Sequence, residues 1–205
     1  MIPLTLAVAT DALLKSDFDA VRASGAVHPL WLREGLTMRA FPHPDIDTWR
    51  SNFKGQRVVD PATGATIYGA VDDIWQHRDT GQLHIVDYKS TSKQGTPSLE
   101  GGFGDGYKRQ MEIYQWIFRT AGFDVSPTGY FLYVNGRKDG VFYESGEGRM
   151  LFETTLIPYV GDASWVPGTI EAAVACYKAE EIPASGAACD TCRYVTERAG
   201  HSLST

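Results

Sequence analysis

The sequence has few cysteines and no long apolar run. Its three cysteines among 205 residues form no even-numbered disulfide framework, which predicts a reducing compartment and a cytoplasmic protein. No stretch approaches the roughly 18 consecutive apolar residues that a membrane-spanning helix needs. The start, Met1-Ile2-Pro3, lacks the basic residues of a signal peptide. These absences argue against a secreted scaffold and against a membrane protein.

An excess of basic residues is also missing. Nineteen lysines and arginines stand against 25 aspartates and glutamates, a formal net charge of −6. This balance counts against a protein that coats nucleic acid by bulk electrostatics. It still allows an enzyme whose acidic residues bind a divalent metal, because the ion reverses the local charge that a phosphate meets. No P-loop or Gly-x-Gly-x-x-Gly motif follows a predicted strand, which disfavours nucleotide-binding enzymes of other classes.

The length and the 43% hydrophobic content predict one domain over residues 1–205. Apolar residues at helical spacing predict a first helix over residues 4–22, ended by Ser24-Gly25. Residues 26–56 mix helix breakers with aromatic residues, which indicates irregular structure with a short strand near Met38. The aromatic residues expected as buried anchors there are Trp31, Phe41, Trp49 and Phe53.

Three β-type runs follow, over residues 56–59, 65–77 and 82–90. The last two are separated by Arg78-Asp79-Thr80-Gly81, which has the Asp and Gly of a hairpin turn, so we expect an antiparallel meander. The glycine-rich stretch over 95–106 is poor in apolar residues and is predicted to be a mobile surface loop.

The remaining pattern alternates helix and strand. It predicts a helix over 107–120, strands over 129–135 and 151–158, a helix over 166–179, and a polar, cysteine-containing tail over 181–205. This order indicates an α/β or α+β fold, in which helices cover a mixed sheet.

Two aspartates each close a β-type run: Asp72 in Gly69-Ala70-Val71-Asp72, and Asp87 in Ile85-Val86-Asp87-Tyr88-Lys89. Alternate side chains of a strand share a face, so Asp87 and Lys89 should point the same way and Tyr88 the opposite way. If the two runs pair, Asp72 and Asp87 converge. Such carboxylates, beside apolar neighbours, predict a Mg²⁺ or Mn²⁺ site. An Asp-x-Lys alone is commonly a surface ion pair, but the Ile-Val before Asp87 and the earlier Gly-x-x-Asp favour the metal site.

Lys89 has a matching task in a metal-dependent hydrolysis. It would donate to the scissile phosphate, or position and help deprotonate the attacking water.

Three motifs in order resemble those of RecB-like members of the PD-(D/E)XK nuclease superfamily, including CRISPR-associated RecB-like exonucleases. They are Gly69-x-x-Asp72, Ile85-Val86-Asp87-Tyr88-Lys89 and Gln110-x-x-x-Tyr114. The resemblance implies a restriction-endonuclease-like αβββαβ core and divalent-metal hydrolysis of DNA phosphodiester bonds. It also implies a metal held by Asp72, Asp87 and the carbonyl of Tyr88.

The resemblance assigns further residues on the helices. Gln110 and Tyr114 would lie on one helix face and contact DNA or support Lys89. An upstream histidine commonly completes the family's metal site, and the first helix here has none; Asp11 occupies its place and could substitute. An acidic residue in a first helical turn is equally explained by the helix dipole.

Cys189-x-x-Cys192 resembles the carboxy-terminal cysteines of an iron–sulfur cluster in many of these nucleases, but a cluster needs four ligands. Cys176, expected as a small buried residue on the preceding helix, is the only other cysteine. The cluster could be lost, further ligands could lie on a missing amino-terminal segment, or the pair could bind zinc with His201 or a partner's residues. We expect no iron–sulfur cluster.

The resemblance and the residues together predict a Mg²⁺- or Mn²⁺-dependent deoxyribonuclease. It would act on single-stranded DNA or duplex ends in repair, recombination or foreign-DNA processing, with protein partners in a repair or CRISPR-type complex. The alternative is a catalytically inactive DNA-binding or assembly module that retains the fold. The intact Asp72, Asp87 and Lys89 favour the enzyme; the acidic charge and the incomplete cysteine set favour the module.

Overall fold

The computed structural model describes residues 5–202. This part of the chain divides into two compact units on either side of the Pro167–Gly168 bond. In chain order the first unit contains α1 (Thr5–Ser24), α2 (Pro29–Arg33), β1 (Met38–Ala40), α3 (Ile46–Trp49), β2 (Gln56–Val59), β3 (Thr66–Gly69), β4 (Asp73–His77), β5 (Leu83–Thr91), α4 (Gly104–Thr120), β6 (Thr128–Gly136), β7 (Tyr143–Glu144), β8 (Glu147–Gly148) and β9 (Phe152–Val160).

A five-stranded mixed sheet organises the first unit, in the order β1-β4-β5-β6-β9. The β5–β6 pair is parallel and the other three pairs are antiparallel. The parallel pair requires a crossover, which α4 supplies. The succession α1, β1, β4, β5, α4, β6 is the expected αβββαβ order, so the predicted fold class is confirmed.

The predicted meander is wrong in one respect. Residues 65–77 do not form one continuous strand: β3 pairs with β2 in a separate two-stranded sheet, and β4 joins the central sheet. Residues 70–72 leave one sheet before the next begins, so Asp72 lies immediately before β4.

Strand β5 contributes to hydrophobic cores on both faces of the sheet. Ile85 packs with α4 residues such as Phe118, whereas Val86 and Tyr88 pack with Phe18 of α1. Because side chains alternate along a strand, Asp87 and Lys89 lie on the same face as Ile85, toward α4. The predicted opposite direction of Tyr88 is therefore confirmed.

Two of the expected anchors, Trp31 and Trp49, are buried, and Phe41 is partly buried. Phe53 is 91% exposed, which makes the anchor prediction wrong there, because it lies in the turn between α3 and β2. In α1 the helical spacing is confirmed, although Leu13 faces solvent while Phe18 is fully buried.

The glycine-rich stretch is shorter than predicted and better anchored. Residues 104–106 already belong to α4. Leu99 is buried in the core on the α4 side, so the expectation that this segment has too few apolar residues to pack is wrong. Gly104 sits where a Cβ atom would lie 2.0 Å from the Leu99 carbonyl oxygen, which explains a glycine at this close approach.

The carboxy-terminal unit contains most of α5 (Val166–Lys178), whose first residues precede the boundary, and α6 (Asp190–Ser202). Cys176 lies on α5 as predicted, but its side chain is exposed rather than buried. Helix α6 falls in the stretch predicted as a polar tail. Within residues 5–202, no helix is both long enough and apolar enough to cross a membrane.

Candidate active site

The first part of the site is a pair of carboxylates where β4 begins, beside the middle of β5. Asp73 pairs with Val86, and one further step of this antiparallel register places Asp72 opposite Asp87. The Tyr88 backbone N–H donates to Asp72 Oδ2 at 2.7 Å, which fixes that carboxylate against β5. Both aspartates thus lie on neighbouring segments of one face, as predicted from the sequence.

Lys89 lies beside Asp87 on β5 and forms an ion pair with its Oδ2. The Lys89 ammonium also lies 3.5 Å from Gln110 Oε1 and 4.2 Å from the centre of the Tyr107 ring. Its side chain is only 15% exposed, so Lys89 is not a solvated surface residue. Helix α4 packs over this face and encloses the Lys89 side chain. A charge held on three sides is well suited to act at a fixed point.

Helix α4 contributes two more of the predicted residues. Gln110 Nε2 donates to Tyr114 Oη at 2.8 Å, and the other end of the Gln110 amide faces Lys89. Gln110 and Tyr114 are one helical turn apart, so both project toward the strands. The structure connects them in a chain from Tyr114 through Gln110 to the lysine.

Gly69, the first residue of the Gly-x-x-Asp motif, has a steric role. A Cβ atom there would lie 2.6 Å from Cε1 of Tyr114 and 3.2 Å from Cδ1 of Ile117. A side chain at this position would therefore displace the Tyr114 ring. The motif thus combines an aspartate of the site with the space for the tyrosine that holds Gln110.

We expect Gly69→Ala to lower the free energy of unfolding by about 1–3 kcal/mol, since overpacking forces neighbours out of position. It should also slow any cleavage, through displacement of Tyr114 and then Gln110. Chemical denaturation measures the first effect. Gly106→Ala is the matched control: its added methyl meets nothing within 4 Å, and alanine in a helix should raise stability by about 1 kcal/mol. Equal stability of Gly69→Ala and the wild type would contradict this role of Gly69.

The electrostatics of the site indicate that a bound cation would stabilise its carboxylates. Burial and then the repulsion from Asp87 raise the pKa of Asp72 to about 6. Burial also raises the pKa of Asp87, against the opposing effect of Lys89. Two carboxylates that resist ionisation together are the donor set that a hard divalent cation stabilises. The residues therefore fit the metal that the sequence predicts.

Asp11 stands at the edge of this site. Its carboxylate accepts from Lys15 Nζ at 2.8 Å, and its charge contributes to the raised pKa of Asp72. Among residues 5–202, no group of three or more His, Cys, Asp or Glu side chains is arranged to hold a metal. A metal at Asp72 and Asp87 would therefore need further oxygen ligands, such as a backbone carbonyl and water.

A divalent cation should stabilise the protein in a pH-dependent manner. The folded-state pKa of Asp72, about 6, lies above the usual aspartate value of 3.8. Its ionisation therefore costs the metal-free protein stability as the pH rises from 3.8 through 6, and a bound cation restores that stability. We expect Mn²⁺ to raise the melting temperature by several degrees at pH 7.5, and the gain to disappear below pH 6. Differential scanning fluorimetry from pH 5 to 8 measures this, and an equal gain at pH 5 would contradict it.

A buried ionic cluster behind the site was not anticipated from the sequence. Asp73 is fully buried and forms ion pairs with Arg22 of α1 and with Arg50, whose side chains are 9% and 6% exposed. The Tyr88 hydroxyl donates to Asp73 Oδ2 at 2.9 Å. The cluster joins α1, β5 and the start of β4.

Arg50 connects this cluster to the site itself. Its Nε donates to the carbonyl oxygen of Asp72 at 3.0 Å, and it pairs with Asp19 at 2.8 Å. Burial would lower the pKa of Arg50, but the two aspartates outweigh this effect and raise it. Arg50 therefore remains charged and fixes the backbone at Asp72. The only sequence indication was an arginine directly after Trp49, which was too weak to single out.

A family model of the PD-(D/E)XK nuclease superfamily matches residues 5–196. The chain belongs to the PD-(D/E)XK nuclease superfamily. A comparison with curated proteins gives no significant match. Membership in this nuclease superfamily agrees with the αβββαβ core and with the placement of Asp72, Asp87 and Lys89 on one face. It supports a nuclease-type function on nucleic acid, in a superfamily that generally uses divalent metals such as Mg²⁺.

The cysteine pair lies in the carboxy-terminal unit. Cys189 immediately precedes α6 and Cys192 lies in its first turn, with 2.7 Å between the two sulfur atoms. Hydrogen bonding with the Cys192 thiol, and then with the Cys192 backbone N–H, lowers the pKa of the Cys189 thiol. The alternative of zinc held with His201 falls on a side chain outside the described residues. Within the described residues of this unit, the sulfur atoms of Cys189 and Cys192 contact each other.

Proposed function

We propose that this PD-(D/E)XK protein is a divalent-metal-dependent deoxyribonuclease of the RecB-like type that acts on DNA ends. The observation that carries the proposal is the convergence of Asp72 and Asp87, with the enclosed Lys89 beside them. A solvated ion pair would not need the cover that Gln110 and Tyr107 provide. This arrangement supports catalysis over a module that retains only the fold.

The proposed metal ligands are the carboxylates of Asp72 and Asp87 and the backbone carbonyl of Tyr88. A Mg²⁺ or Mn²⁺ ion bound there supplies stabilisation of charge on the phosphate and a lowered pKa for bound water. The Tyr88 backbone would both ligate the metal through its carbonyl and orient Asp72 through its N–H. It is suited to both roles because the Tyr88 side chain is anchored on the opposite face by Asp73. Its backbone therefore stays fixed while its N–H orients Asp72.

Lys89 would donate to a non-bridging oxygen of the scissile phosphate. Gln110 and the Tyr107 ring limit where its ammonium can go, so the charge meets the phosphate without reorganisation. Tyr114 keeps Gln110 oriented, and Gly69 leaves room for Tyr114. Each of these residues acts through the position of the lysine.

DNA, as single strands or duplex ends, is the proposed partner, and repair, recombination or foreign-DNA processing is the proposed setting, with protein partners in a complex. The net charge of −6 limits binding by bulk electrostatics. Affinity for DNA should therefore depend on the metal.

End-labelled single-stranded and double-stranded DNA incubated with the pure protein tests the proposal. Cleavage is expected with Mg²⁺ or Mn²⁺, none with EDTA, and none with Asp87→Asn. The matched control is Asp60→Asn, because Asp60 is equally buried but its carboxylate accepts from the backbone N–H and hydroxyl of Thr63. Absence of cleavage by wild-type protein under every metal condition would favour the inactive module.

The cysteines should not carry the activity. Three cysteines, of which Cys176 is exposed on α5, do not complete a four-ligand site. We expect protein purified without oxygen to be colourless and free of stoichiometric iron. Substitution of Cys189 and Cys192 by serine should leave metal-dependent cleavage within about twofold of wild type, since surface changes are usually near neutral. Brown protein whose visible absorbance is lost in that double variant would show that other ligands complete a cluster.

A further inference from the structure

Lys15 of α1 has a contact that its helix does not explain. Its ammonium lies 2.8 Å from Asp11 Oδ2, one turn earlier in the same helix, and 3.6 Å from Asp72 Oδ1. The first contact is an ordinary i,i+4 pair, worth a few tenths of a kcal/mol. The second reaches a proposed metal ligand on a distant segment. Each site carboxylate therefore has its own lysine: Asp72 faces Lys15, and Asp87 faces Lys89.

The backbone beneath Lys15 is fixed at both ends of α1. Near its start, the hydroxyl groups of Thr10 and Ser90 lie 2.5 Å apart, and Ser90 follows Lys89 on β5. Two turns after Lys15, Arg22 pairs with the buried Asp73 and donates to the Phe41 carbonyl oxygen at 2.9 Å. The helix therefore holds Lys15 next to Asp72, and the Lys15 side chain is only 23% exposed.

The charges of the site agree with such a role. The three carboxylates of Asp11, Asp72 and Asp87 exceed the two ammonium groups of Lys15 and Lys89 by one negative charge. One divalent ion turns this into an excess of one positive charge, which a single phosphodiester balances. A second divalent ion would have to share Asp72 with the Lys15 ammonium, at a high electrostatic cost.

The neighbouring buried cluster does not alter this balance. Its two aspartates, Asp19 and Asp73, are matched by its two arginines, Arg22 and Arg50. The excess charge therefore belongs to the carboxylates that face the two lysines.

We propose that Lys15 is a built-in cation that takes the place of a second divalent metal, so that the site binds one divalent ion per chain. Asp11 then positions Lys15 and does not ligate the metal. The inference rests on the proposed function, because it assumes that Asp72 and Asp87 bind a metal.

A titration of the full chain with Mn²⁺ tests the number of ions bound per chain. Isothermal titration calorimetry and electron paramagnetic resonance of the free ion are the two readouts. Wild-type protein should bind one Mn²⁺. Lys15→Met should bind the first ion about tenfold more tightly, because a nearby like charge is removed, and should take up a second ion at higher concentration. Lys15→Arg keeps the charge and should bind one.

Lys108→Met is the matched control. Lys108 is 25% exposed and also lies near two carboxylates, Glu100 at 3.6 Å and Asp105 at 3.8 Å. Its loss should leave the Mn²⁺ count and affinity unchanged.

Two Mn²⁺ ions in the wild type, or a folded Lys15→Met variant that binds as the wild type does, would overturn the inference. The wild-type count needs no substitution, so a misfolded variant does not remove the test. Failure of the proposed function looks different: wild-type protein would bind no Mn²⁺, or Asp87→Asn would bind it unchanged.

Discussion

Lys89→Met should reduce cleavage by about 10²–10³-fold, the usual loss when one positioned donor to a developing charge is removed. Methionine keeps the length and apolar contacts of a side chain that is mostly enclosed, so the Tyr107 and Gln110 surroundings should persist. The metal should still bind, and more tightly, because the competing ammonium beside Asp87 is gone. Single-turnover cleavage and Mn²⁺ calorimetry on the same preparations separate the two effects.

The Lys108→Met variant also controls this measurement, since it removes a comparably exposed lysine from α4 and should cleave at the wild-type rate. Circular dichroism verifies that both variants fold. Wild-type rates in folded Lys89→Met would remove Lys89 from the reaction. An equal loss of Mn²⁺ affinity would instead assign it a role in metal binding.

Asp73→Asn should lower the free energy of unfolding by about 3–5 kcal/mol, as is usual when one partner of a buried ionic network is lost. Asp73 is fully buried and faces two arginines that are themselves less than 10% exposed. Removing the carboxylate leaves Arg22 and Arg50 with excess positive charge in an apolar surrounding. Urea denaturation without metal measures the loss.

The adjacent residue provides the control. Asp72→Asn removes a carboxylate whose pKa is raised to about 6, so at pH 7.5 the metal-free variant should be as stable as the wild type or up to about 2 kcal/mol more stable. Its gain in melting temperature with Mn²⁺ should disappear. Similar losses of stability in the two variants would show that Asp73 is not the centre of the buried network.

The sequence predicted the part of the site that follows strand periodicity. Asp87 and Lys89 share a face because they are two residues apart, and Gln110 and Tyr114 share one because they are four apart. A single register then places Asp72 opposite Asp87. These relations are local, or depend on one hairpin, so a pattern of residues is enough to predict them.

The rest of the site depends on contacts between distant segments. Lys15 and Arg22 reach the site only because α1 packs beside β5, and Arg50 only because α3 lies near the start of β4. The sequence around a lysine or arginine on an amphipathic helix does not identify the distant residue that it contacts. The enclosure of Lys89 was likewise missed, since it depends on where α4 crosses the sheet.

The break between β3 and β4 also determines how each half of the site is held. The pairing of β5 with β4 ends at Val86, whereas its pairing with β6 runs from Val86 to Thr91. The backbone of Asp87 and Lys89 is therefore held by the β6 ladder and exchanges its amide protons only when that ladder opens. Asp72 lies outside every ladder, on the connection between two sheets. One half of the site is therefore held by a strand ladder, and the other half by side-chain hydrogen bonds, from Arg50 to the Asp72 carbonyl and from the Tyr88 N–H to the Asp72 carboxylate.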